Sequence, residues 1–118
     1  MEGFRPPEHI RKRADFELIY KAGHKQSGRL MTMFTRANEL QVARLGIAAT
    51  RKIGSAVIRN RAKRLVRELF RRHKPAGAID VVVVPRREML DATYARLEAE
   101  FLALLDKRSN RAGGSARI

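Results

Sequence analysis

Residues 55–72, SAVIRNRAKRLVRELFRR, spell a helix whose two sides demand opposite surroundings. Ser55 is of the type that caps a helix start, and Ile58, Ala62, Leu65, Val66 and Leu69 then recur at helical spacing along one side. With Ile58 as origin, Lys63, Arg67, Asn60, Arg71 and Arg64 spread over about 140° to 240°, facing away. Arg59 and Arg61 fall at the two shoulders of the apolar stripe, near 100° and −60° at about 100° per residue. Such a segment folds only as a surface helix, with its stripe on a core and its cations in water.

The charge on this segment exceeds what solubility requires. Residues 51–72 hold nine cations, Arg51, Lys52, Arg59, Arg61, Lys63, Arg64, Arg67, Arg71 and Arg72, against the single carboxylate of Glu68. Solvated helix faces mix signs, and like charges four apart, such as Lys63 with Arg67, cost stability. The whole chain carries +14 with a pI near 11.5, distributed as +4 over residues 1–50, +9 over 51–74, −2 over 75–105 and +3 over 106–118. A polyanionic partner, nucleic acid or an anionic membrane, relieves repulsion concentrated in this way. Arginine outnumbers lysine across 59–72, which favours forked phosphate contacts over a diffuse membrane patch. Just upstream, in TRKIGS, Arg51 and Lys52 stand beside a helix N-terminus, whose free N–H groups and dipole also suit a phosphate.

At 118 residues, 44% of them hydrophobic, the chain has enough material for one core. The absence of cysteine removes disulfides and thiol chemistry. MEGFRPPEHIRKR contains no apolar signal core and no 18-residue apolar run occurs, so the expectation is a cytoplasmic protein without a membrane partner. Residues 1–9 read as a flexible segment, 10–107 as a single nucleic-acid-binding domain, and 108–118 as a flexible basic tail.

RADFELIYKAG reads as a helix closed by Gly23, with Phe16, Ile19 and Tyr20 on one side and Ala14, Leu18 and Ala22 opposite, so that two surfaces should touch it. RLMTMFTRA and QVARLGIAAT read as adjacent strands. In the second, Leu45, Ile47 and Ala49 point to the core, while Arg44, Gly46, Ala48 and Thr50 form a small, partly open face shared with Thr32 and Phe34. AIDVVVVP is a buried strand, and Leu90, Tyr94, Leu97, Phe101, Leu104 and Leu105 stripe a helix from about Glu88 to Lys107. The order predicts an α+β or α/β sandwich in which the basic helix joins two strands.

RNRAKRLVRELFR, preceded by RKIGSAVI, closely resembles the arginine-asparagine-arginine motif of the bacterial ribonuclease P protein family. DFELIYKAGH, RLGIAATRKIG and AIDVVVVPR resemble that family's first helix, the strand before the motif and the last strand, so the likeness spans roughly residues 10–107. The resemblance implies an α-β sandwich with a central mixed sheet and a left-handed βαβ crossover, against the usual right-handed rule. It implies the protein subunit of an endoribonuclease that removes the 5′ leader of precursor tRNA, with the catalytic site and its Mg2+ in an RNA subunit and no cofactor on the protein alone. Position by position, Arg51, Lys52, Arg59, Asn60, Arg61, Lys63, Arg64 and Arg67 match the catalytic-RNA-binding region. Phe16, Tyr20 and Phe34, with Ala48 and Thr50, match the cleft that holds the leader, while Met31 stands where relatives often carry an aromatic. The implied partners are the catalytic RNA and precursor tRNA, with no obligate protein partner.

The residues themselves offer no nuclease site. His9, His24 and His73 lack ligand spacing, and Asp15 with Glu17 and Glu98 with Glu100 are two apart, which on a helix diverges; all read as solvated surface groups. The competing reading is a ribosomal or DNA-binding module, disfavoured for sequence-specific DNA because only Asn60 in the basic helix suits base reading.

Overall fold

A computed structural model describes residues 8–117, with side chains from 8 to 106. Along the chain run α1 (Arg13–Ala22), β1 (His24–Ser27), β2 (Met31–Ala37), β3 (Arg44–Ile47), α2 (Ala56–Arg72), β4 (Ile79–Pro85) and α3 (Tyr94–Arg117). The strands form one mixed sheet in the order β1-β2-β4-β3, antiparallel except for the parallel pair β3 and β4. One face carries α2 and α3 over the main core, in which Met33, Leu45, Val81 and Val83 meet Ala62, Val66, Leu69, Phe70, Leu97 and Phe101. The other face carries α1, through Ile19 and Phe16 on Val82, Phe34 and Ile10. The architecture is the α+β sandwich expected.

β2 and β3, expected to be neighbours, are not paired; β4 lies between them. Its run Val81–Val83 is fully buried because both of its faces are covered, the environment in which strands lose polar alternation. The strand β1, His-Lys-Gln-Ser, has no hydrophobic pattern and was not foreseen. It is held as a hairpin partner of β2, and the Glu100 carboxylate of α3 fastens its turn by accepting the backbone N–H groups of Arg29, Leu30 and Met31 at 3.0, 2.9 and 2.9 Å. The final helix begins at Tyr94, after a separate 3-10 turn over Arg87–Asp91.

The hand of the β3-α2-β4 crossover follows from chirality. Leu45 and Val83 both turn toward the α2 and α3 side, and the Val83 carbonyl points toward β3, accepting the Ala48 N–H at 3.0 Å. For L-residues this sets β3 to the right of β4 when the sheet is viewed from the helical side with both strands pointing up. The chain leaves β3, passes through α2 on the viewer's side and re-enters one place to the left. The crossover is left-handed, as the resemblance implied.

At the ends, the expected loose segment over 1–9 lies outside the described residues as far as residue 7. Glu8 and His9 already belong to the fold: the Glu8 carboxylate meets Lys74 Nζ at 2.8 Å, and His9 bridges Leu45 in parallel, covering the outer edge of β3. The helix α3 is continuous to Arg117, and the side chains of the expected 108–118 tail lie outside those described.

The Glu100 anchor has a measurable consequence. A carboxylate accepting three backbone N–H groups contributes more than neutral hydrogen bonds do, so Glu100→Ala is expected to lower stability by about 2 kcal/mol, with Glu100→Gln in between. Urea unfolding at neutral pH checks it, and indistinguishable midpoints for all three proteins would refute it.

Candidate nucleic-acid interface

The N-terminus of α2 is built as the sequence suggests. The Ser55 hydroxyl accepts the Ile58 N–H at 3.4 Å, following a 3-10 turn, Arg51–Ile53, that buries Ile53 and leaves Arg51 and Lys52 exposed. Gly54 joins them at φ +143°, where a Cβ would also meet the Ile58 side chain at 2.9 Å. Ala62, Val66, Leu69 and Phe70 are fully buried, whereas Ile58 is 37% exposed because the first turn projects beyond the sheet.

The cations of α2 divide into sets. Arg71 and Arg72 both hold the Glu68 carboxylate, at 2.6 and 2.7 Å, and Arg72 also lies 5.6 Å from the Tyr94 ring centroid. Those two share one carboxylate, so their charge is only partly offset. Arg59 is half-buried and donates to the Gly54 carbonyl at 3.3 Å. Asn60 and Arg64 are exposed on the outer side. Lys63 and Arg67 line a depression of about 280 Å³ with His9, Ile10, Arg11, Leu45 and Ile47. Arg61 lies on the opposite flank, facing the Arg87–Asp91 turn. The bracketing of the helix by Arg59 and Arg61 therefore holds, and the structure adds His9 and Arg11 to one flank and Arg87 to the other. The run Arg11-Lys12-Arg13 was the only sequence signal for the first addition, and nothing local placed it beside α2.

The aromatic residues gather on the other face of the sheet. Lys25, Phe34, Val82 and Gly46 form one cross-strand row. Phe16 lies over Gly46 so closely that a Cβ there would stand 2.8 Å from the ring. Tyr20 meets Phe34 edge-on at 4.9 Å between centroids, Phe16 and Tyr20 are 6.3 Å apart, and the Lys25 ammonium stands 6.0 Å from the Phe34 centroid. Tyr20 is 40% exposed, and partial burial pushes its phenol pKa up. Ala48, half-buried, and Thr50, exposed, continue this side beyond Gly46.

Two expectations change here. The aromatic side of α1 is the side packed on the sheet, with its rings at the margin, while Ala14, Leu18 and Ala22 face water and touch no second surface. Met31 is fully buried in the main core, on the opposite face from Phe34, and does not line the aromatic margin. Of the carboxylates expected to be solvated, Asp15 pairs with Arg44, Glu98 with His73 at 2.7 Å, and Glu100 anchors a backbone turn, while Glu17 meets Arg13 in an exposed pair that stays in water. Among the described residues no group of three His, Cys, Asp or Glu side chains is placed to hold a metal ion, and no helix is long and apolar enough to cross a membrane.

Fold and surface together define a small α+β protein with a segregated cationic helix beside an aromatic-lined sheet face. The family model described as Ribonuclease P matches residues 4–109. A ribonuclease P protein component of Thermotoga maritima is 44% identical over 91 residues, covering 75% of this chain and 77% of the relative. One from Staphylococcus aureus is 41% identical over 91 residues, covering 75% and 79%. Among solved structures, the S. aureus RNase P protein is similar at a TM-score of 0.77 and 37% identity, covering 86% of this chain and 94% of that one. The T. maritima RNase P protein gives 0.76 and 36%, covering 85% and 96%. The chain belongs to the ribonuclease P protein family.

The cationic depression also affects folding. Burial first, then Arg11 and Arg67, lower the His9 pKa from 6.5, with Glu8 opposing. Folding therefore favours the neutral ring: no penalty applies above pH 6.5, and stability is lost as pH falls through the lowered folded value. His9→Gln should shrink the acid-side loss, measured by urea unfolding at about pH 7.5 and about pH 5. An equal loss in both proteins would show that the folded state does not resist protonation.

Proposed function

We propose that this chain is the protein subunit of a ribonuclease P, binding the catalytic RNA through α2 and the 5′ leader of precursor tRNA along the aromatic sheet face. The observation that carries the reading is the sorting of the surface. Cations without a partner among the described residues, Arg51, Lys52, Arg61, Lys63, Arg64 and Arg67, lie along α2 and the turn before it, while Glu68 pairs with Arg71 and Arg72. Uncompensated arginines suit forked phosphate contacts and make affinity fall steeply with salt. Arg59 and Asn60, at the start of the same helix, belong to this RNA-binding set. Phe16, Tyr20 and Phe34, with Ala48 and Thr50 beyond them, gather aromatic rings and small side chains beside Lys25. Bases of a single strand stack on such rings without sequence preference.

In this reading the protein contributes binding and the RNA contributes chemistry. Magnesium in this reading enters with RNA phosphates, and no step is assigned to it on the protein. In this reading the assembled particle acts in the cytoplasm. A ribosomal or other nucleic-acid-binding role is the alternative, and activity separates the two. Added to a bacterial ribonuclease P RNA at low magnesium, the protein should stimulate leader removal; no stimulation would favour the alternative.

The leader surface has its own test. Tyr20 is the better probe, since Phe16 is seated on Gly46 and its loss would disturb packing. Tyr20→Leu is expected to weaken the assembled enzyme's binding of precursor tRNA about tenfold, the equivalent of one stack of ~1.4 kcal/mol. Binding of mature tRNA, which has no leader, should not change. Equal weakening for both substrates would mean that the ring is structural only.

A further inference from the structure

On the flank of α2 away from His9, a depression of about 290 Å³ is lined by Ile53, Gly54, Ile58, Arg61, Arg87, Leu90 and Asp91. Its walls are aliphatic, its rim is charged, and its size lies at the lower end of the roughly 300–1,000 Å³ range of small-molecule pockets. Gly54 contributes no side chain, which keeps the space beside Ile58 open. Arg61, Arg87 and Asp91 form no hydrogen bond or ion pair among the described residues. Three unpaired charges of both signs around an apolar space call for an occupant with a flat apolar body, anionic groups outside and a hydrogen-bond donor at one edge.

We propose that this depression receives one unstacked nucleobase of the RNA that α2 binds, an inference that rests on the RNA-binding reading above. The base lies against Ile58 and Leu90, and its flanking phosphates meet Arg61 and Arg87. The Asp91 carboxylate repels phosphate and accepts from a donor; with the exocyclic edge turned toward it, it favours the amino group of adenine, cytosine or guanine over uracil, whose exocyclic positions are carbonyls and whose donor is the ring N3–H. RNA commonly exposes such splayed bases in loops and bulges. Arg61 thereby acquires a role distinct from that of Lys63, Arg64 and Arg67: it holds the phosphate beside a buried base.

The test uses the full chain and a transcript of a bacterial ribonuclease P RNA, with chemical probing of unpaired bases and binding measured across salt. The expected result is protection of one unpaired amino-bearing base by the unmodified protein, lost in both Ile58→Ser and Asp91→Ala. These variants should bind about tenfold more weakly, and Ile58→Ser should leave the salt slope unchanged, since it removes neither a charge nor a phosphate contact. Replacing the protected base with uracil should cost about the same, and Asp91→Asn, whose amide can donate, should recover uracil. Asp91 is exposed, so its variants test the pocket even if Ile58→Ser loosens the helix start. Full affinity and unchanged protection in both variants, while Lys63→Gln with Arg67→Gln weakens binding and flattens the slope, would overturn the pocket and leave the RNA-binding surface standing. Indifference of all variants, Lys63→Gln with Arg67→Gln included, would overturn both.

Discussion

Asp80 lies on β4 at 3% exposure and is bound on every side. The Arg44 guanidinium grips it with two bonds of 2.8 Å, and the Asn38 amide adds a third at 2.7 Å. Arg44 and Asp80 are register partners in the one parallel pair of the sheet, and Arg44 also reaches Asp15 of α1 at 3.6 Å. Removing one member of such a pair strands a buried charge at a cost of about 3–5 kcal/mol. A slip of one residue would break the same bonds and turn every β3 side chain to the wrong face. That register sets Gly46 opposite Val82, which gives Phe16 its seat, and sets Leu45 and Val83 on the face that receives α2. Both halves of the proposed RNA surface depend on it.

The other carboxylates serve a similar end. Glu8 is held by Lys74, Glu98 by His73, Glu100 by a backbone turn, and Glu68 by the last arginines of α2. Glu8, Glu98 and Glu100 are thus drawn into tertiary bonds, while the earlier cations of α2 are left to water. The net charge of +14 is set by composition; that division decides where on the surface the excess is felt. The same division gives the two flanks of α2 different chemistry: one near His9 whose charged lining residues are Arg11, Lys63 and Arg67, and a mixed one near Asp91.

Much of the site was legible because it is local. Helical periodicity alone identifies the buried side of α2, its Ser55 cap and the outward cations, and two-residue alternation alone assigns Gly46, Ala48 and Thr50 to one face of their strand. Even the pairing of Glu68 with Arg71 and Arg72 was open to a spacing argument at i,i+3 and i,i+4. By contrast, β1 has no pattern to find, and the roles of Glu98 and Glu100 depend on partners 25 and about 70 residues away. Met31 could not be assigned from its neighbours, since the face it takes follows from where β2 pairs.

By itself the sequence determined which side of each helix is apolar, where the basic helix starts and that its charge needs an anionic partner, because these follow from repeats of 3.6 and 2 residues and from summed charge. Only the tertiary structure decided that β4 enters between β2 and β3, that the crossover is left-handed, and that Lys63 and Arg67 share a depression with His9 and Arg11 while Arg61 shares one with Arg87 and Asp91. Those outcomes depend on pairings between residues tens of positions apart, whose energies a local pattern does not contain: the buried bond between Arg44 and Asp80, the Glu100 anchor and the close seat of Phe16 on Gly46.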